Sequence, residues 1–190
     1  MLDRLVQNWV YGGFLAAFVL LGLTPVLATD WSPALTLVYL WSPLYMIHQY
    51  EEHDDDRFRR FFNAHLGNGK ELLTPLAVFV INVPGVWGIN AVSFALAATI
   101  DLGYGLIAVY LAVVNALVHV AQGVRMRRYN PGLITAIVLF VPFGALSFLA
   151  VNRAGGAPGW AHALGLGLAV AIHAAIVLHV VRRAARLRGA

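Results

Sequence analysis

The sequence predicts an all-α membrane protein: a bundle of six transmembrane helices with both termini cytoplasmic and a short amphipathic segment after the second helix. Three observations carry this. Of 190 residues, 60% are hydrophobic and 12% charged, where soluble domains sit at about 45–50% and about 25%; the mean hydropathy is +0.74. Six apolar stretches are each long enough to cross a bilayer, which takes roughly 17–25 residues. The arginines fall almost entirely on one side of those six.

The stretches are residues 8–28, 33–52, 72–98, 102–124, 131–151 and 159–181. Asp30 to Pro33 separates the first pair, and Asp101-Leu102-Gly103 the third from the fourth. Tyr129-Asn130-Pro131-Gly132 opens the fifth, and Asn152 to Gly159 precedes the sixth. With six crossings, Arg4, the Arg57–Lys70 group, Arg125–Arg128 and Arg182–Arg188 share one side, and Arg153 stands alone on the other. The positive-inside rule then makes both termini cytoplasmic. A competing reading takes the first stretch as a signal peptide cut after Val26-Leu27-Ala28. The chain reads as one domain, without internal repeats.

Residues 54–70 form the strongly charged loop. In it Phe58, Phe61, Phe62, His65 and Leu66 recur at helical spacing between arginines, the pattern of a helix lying in the headgroup region. The net charge of +4 belongs to juxtamembrane arginines, which set topology and meet membrane lipids. Nucleic-acid binding is therefore not inferred. Cysteine is absent, which removes disulfides and thiolate metal sites.

The second stretch ends in Met46-Ile47-His48-Gln49-Tyr50-Glu51-Glu52-His53. Ionisable groups at a bilayer edge are costly and need a reason. On a helix His48, Glu51 and Glu52 share a face about 100° wide, while His53 points elsewhere. His48 and His119 each lie about 9 Å inside the nearest charged boundary, and Asn115, Asn82 and His173 are deeper, near 15 Å. Polar groups at such depth must find partners within a bundle, so the rings of His48 and His119 are expected to meet. Asn82 reads as interhelical glue. His53 and His179 read as interface residues, His162 as loop-facing and His65 as surface. Gly165 and Gly167 in the sixth stretch permit close helix packing, most simply within the chain.

These residues resemble the HXXEE-domain family, small bacterial integral-membrane proteins suspected to be enzymes. The resemblance rests on His48-Gln49-Tyr50-Glu51-Glu52, on Asn115-Ala116-Leu117-Val118-His119, and on Tyr129-Asn130-Pro131-Gly132. It covers the second through fifth stretches. It implies a multi-pass protein of the bacterial inner (cytoplasmic) membrane and supplies no reaction. Neither a His-Glu-x-x-His zinc helix nor its inverse is present.

Neutral imidazoles and carboxylates without sulfur suit zinc or iron. The expected metal ligands are His48, Glu51, Glu52, His119 and His173, with Glu51, Glu52 and Asn115 as catalytic residues. The expected role is a membrane metalloenzyme acting on an apolar or lipid-like small molecule. Two alternatives stand beside it: a metal-free isomerase or cyclase using the Glu51/Glu52 pair as acid and base, and a proton-coupled transporter.

Overall fold

The computed structural model describes residues 1–188, which are mostly helical and include no strand. Long helices run over Leu2–Leu27 (α1), Pro33–His53 (α2), Pro75–Thr99 (α4), Leu102–Met126 (α5), Leu133–Arg153 (α6) and Gly159–Arg186 (α7). The short α3, Arg57–His65, follows α2. Local chemistry sets the starts. The Ser32 and Thr74 hydroxyls accept from the amides of Leu35 and Ala77, each ahead of a proline at the first helical position, where a missing N–H costs nothing.

Among the described residues five helices, not six, are long and apolar enough to cross a membrane. The exception is α2, and the reason is its position. It packs against α1, α4, α5 and α6, and Trp41, Tyr45, His48 and Gln49 on it are among the largest fully buried side chains. A helix enclosed by helices can carry polar groups that lipid would reject. Gln49 donates to Asn82 Oδ1 at 2.9 Å and accepts from Trp87 Nε1 at 2.6 Å, while Asn82 donates to the Val78 carbonyl. Asn82 is thus glue between α2 and α4.

Two helices contain wide turns, at Ile81–Trp87 in α4 and Ala136–Phe140 in α6. Pro84 lies within the first and Pro142 just beyond the second. Proline cannot donate its i→i−4 bond, and a wide turn absorbs the interruption. Both turns flank the cluster described next. On the far side α7 lies closely along α5, since a Cβ at Gly165 would come within 2.8 Å of the Leu106 carbonyl oxygen.

The expected amphipathic segment is α3. Asp55 and Asp56 before it are both left-handed, at φ 51° and 57°, and turn the chain back over the end of α2. Ion pairs hold it: Arg59 to Asp56 and Glu71, and Arg183 of α7 to the same Glu71. Hydrogen bonding to Asp56 raises the Arg59 guanidinium above its ordinary pKa. Phe58, Phe62 and Leu66 border a cavity beneath it.

Candidate metal centre

The last turns of α2 place His48 and Glu52 four residues apart on one inward face. His48 Nε2 lies 3.5 Å from Glu52 Oε2. From α5, His119 Nε2 lies 3.5 Å from Glu52 Oε1. The two rings meet edge to face with centroids 5.2 Å apart. All three residues are buried, and one ligand atom from each lies within 4.8 Å of the others.

The neighbours decide which nitrogens face inward. Asn130 donates to the His119 carbonyl at 3.0 Å, which fixes its amide, so its Oδ1 accepts from His119 Nδ1–H at 2.8 Å. Thr135 donates its single hydroxyl proton to Glu51 Oε2 at 2.5 Å, so Thr135 Oγ1 accepts from His48 Nδ1–H at 2.7 Å. In the neutral rings both Nε2 lone pairs therefore point at the Glu52 carboxylate. The buried His48 Nε2 has no protein hydrogen-bond partner. With neutral rings these are three acceptors facing one another, which repel unless a proton or a metal cation sits among them. Imidazoles whose second nitrogen donates to an oxygen are the form metals bind.

Asn130→Ala and Thr135→Val remove these outer partners without touching a ligand atom. Each is expected to weaken zinc affinity about 10–100-fold, measured by competition with a chromogenic chelator. Unchanged affinity would show that ring orientation does not depend on them.

His53 joins the cluster, contrary to its expected interface position. It is buried, its Nε2 lies 3.2 Å from Glu52 Oε2, and the Trp9 ring of α1 lies tilted against it with centroids 5.1 Å apart. The helical face estimate placed it elsewhere, but α2 ends at His53 and its side chain reaches back to the carboxylate.

Glu51 does not meet Glu52 in one pocket. It accepts from Tyr129 Oη at 2.8 Å, Ile134 N at 3.1 Å, Thr135 N at 2.7 Å and Thr135 Oγ1, so it caps the start of α6 from another helix. Burial, and the bond to this carboxylate, push the Tyr129 phenol up to about 12, which keeps it a donor. Glu51→Gln replaces one acceptor oxygen with a donor facing donors. It is expected to cost about 1–3 kcal/mol, read as a lower thermal midpoint. An unchanged midpoint would mean that these bonds do not hold α6.

Gly132 closes the third side. At φ +94° its added Cβ would stand 2.7 Å from His119 Cε1 and 3.0 Å from His48 Cε1. On the open side lies a cavity of about 480 Å³, bounded by α3, α4, α5 and α7. Its wall is mostly aliphatic and aromatic, with Glu52, His53, His119, Asn115, Gln122, Asn82 and His173 as polar members. Asn115 and His173 therefore border the cavity and stand outside the three-residue group. His173 Nδ1–H donates to the Ala169 carbonyl at 2.8 Å. Of the other histidines, His162 bonds Tyr110, His65 contacts Arg128 and His179 is exposed.

Sequence reasoning missed the part played by four residues. Asn130 and Gly132 sat within the Tyr-Asn-Pro-Gly turn already singled out, where Pro-Gly signals a positive φ. His53 was visible as a neighbour. Thr135 carried no signal at all.

Residues 39–147 match the family described as "Protein of unknown function with HXXEE motif", more than half of the chain. No curated protein and no solved structure matches.

Proposed function

The chain belongs to the HXXEE family, and we propose that it is an integral-membrane, metal-dependent enzyme acting on an apolar small molecule. The observation that carries this is the pair of imidazoles whose Nδ1–H groups are held by Asn130 and Thr135, leaving both Nε2 lone pairs on Glu52. His48, His119 and Glu52 would hold a zinc or iron ion. Two histidines and one carboxylate leave coordination positions open, and Glu52 and His119 border the cavity. A metal so held supplies Lewis acidity toward a substrate oxygen or activates water. The chain's own residues do the rest: His53 steers the Glu52 carboxylate, Gly132 shields the rings, and the aliphatic wall excludes water from the substrate.

The metal-free acid/base alternative needs two crowded carboxylates. With Glu51 spent on the head of α6 that pair is divided, which favours the metal reading. We also take α2 as a sixth crossing, shielded by its neighbours, with both termini cytoplasmic in a bacterial inner membrane. Lys70 bonds the Leu187 carbonyl and Arg183 bonds Glu71, so the segment after α3 meets the end of α7, which supports this reading.

Elemental analysis of protein purified without added metal tests the reading. Wild type should carry close to one zinc or iron per chain, and Glu52→Gln, which is isosteric, should carry little. Metal-free wild type would overturn it.

A further inference from the structure

We propose that the cavity opens sideways to the bilayer between α4 and α7 and takes a single-chain lipid with a small, phosphate-free head. This deepens the proposed function and rests on it for the chemistry at the polar end. The route follows from which helices meet. α7 packs along α5, and α4 meets α5 as well, but no packed seam joins α4 to α7. Both nevertheless border the cavity, α4 through Ile81 and Gly85 and α7 through Ile176 and Val177. A cavity walled by two helices that do not pack on each other is open between them, and Val177 is 61% exposed. The cytoplasmic end is shut by contrast. Phe58, Phe62, Leu66, Leu72 and Leu73 border it there, and the last two are buried. This apolar roof is laced down: Asn63 Oδ1 accepts from the amides of Leu72 and Leu73 at 2.9 Å. Glu71 pairs with Arg59 of α3 and Arg183 of α7.

The kind of lipid follows from the wall. Its deep part is apolar, with Val86, Ile89, Leu111 and Ile172. The polar members at middle depth are tied to the protein. Asn82 bonds Gln49 and Val78, Asn115 Oδ1 is enclosed, and His173 gives Nδ1–H to the Ala169 carbonyl. A hydrocarbon chain therefore lies in the deep part, and its polar end meets Glu52 and His119 beneath the roof. Among the described residues no lysine or arginine borders the cavity, so a phosphate would be desolvated without a side-chain counter-charge. A volume of about 480 Å³ is that of a small-molecule site, which suits one chain and not the two of a phospholipid.

The chain has no cysteine, so single cysteines can report access in the full protein in phosphatidylcholine nanodiscs. Ile172→Cys reports the deep cavity, with Ile176→Cys as a second reporter. Val170→Cys, at an exposed position of α7, reports the bilayer, and Ala64→Cys, at an exposed position of α3, reports the water phase. Two thiol reagents are compared: uncharged, bilayer-soluble octyl methanethiosulfonate and the charged, membrane-impermeant sulfonatoethyl methanethiosulfonate. The octyl reagent should modify Ile172→Cys and Val170→Cys at similar rates. The charged reagent should modify Ala64→Cys and leave both others untouched. Hexadecanol should slow modification of Ile172→Cys about tenfold once it fills nine-tenths of the sites, and should not protect Val170→Cys. Three results would overturn the assignment: modification of Ile172→Cys by the charged reagent as fast as Ala64→Cys, none by the octyl reagent, or no protection by hexadecanol. Metal content of the same samples separates the two readings. Protection without metal keeps the lipid cavity and removes the metalloenzyme; metal without protection does the reverse.

Discussion

His119→Ala is expected to lower the zinc affinity of the purified protein by more than about a hundredfold, beyond the 10–100-fold typical of removing an outer-shell partner. The ring supplies one of only two nitrogens in the group and is the only contribution from α5. Its loss leaves His48 and Glu52, two ligands on one helix, and a buried Asn130 Oδ1 with no donor. The second effect also costs stability, so a companion is needed that does not hollow the core. Glu52→Gln keeps the volume and should lose metal to a similar degree. His179→Ala, on an exposed part of α7, should leave affinity unchanged. Equal metal in the wild type and both site variants would show that the ion is bound elsewhere or not at all.

Gly132→Ala is the second large effect, and it acts without altering a polar atom. An alanine at φ +94° carries about 1–2 kcal/mol of backbone strain, and its methyl carbon must displace the His119 ring from 2.7 Å. Overpacking at such a position adds about 1–3 kcal/mol. The expected sum is about 2–5 kcal/mol of lost stability. The rings that give way are His119 and His48, so metal affinity should fall with stability. Gly155→Ala is a suitable control, because its φ is also positive, at 76°, while nothing lies within 4 Å of an added Cβ. If the two variants lose equal stability and Gly132→Ala keeps its metal, the glycine does not abut the rings as described.

The bundle was legible in the sequence because its outer helices face lipid and must be apolar throughout. The same logic does not extend to α2, which is not among the helices apolar enough to cross by composition. Its polar content, from Gln49 through His53, belongs to a helix enclosed by others, and composition cannot distinguish an enclosed helix from an interfacial one. The site was legible where a single helix fixed the geometry: His48 and Glu52 are an i,i+4 pair, and His119 matched them in depth. It was illegible where tertiary packing chose between neighbours. Glu51 and Glu52 are adjacent and chemically identical, yet one faces the histidines and the other the first amides of α6. Nothing in the order of residues announces that the start of α6 takes its cap from α2. His173 and Asn115 lie deeper in the same half of the bundle, where they border the cavity and stand outside the three-residue group.

The most direct measurement is anomalous diffraction from crystals of the protein as purified, with data on both sides of the zinc and iron edges. The account predicts one peak per chain enclosed by His48 Nε2, His119 Nε2 and the Glu52 carboxylate, with Glu51 turned away toward Thr135. A filled peak at any other residues, or ordered density with no anomalous signal between those three side chains, would contradict it.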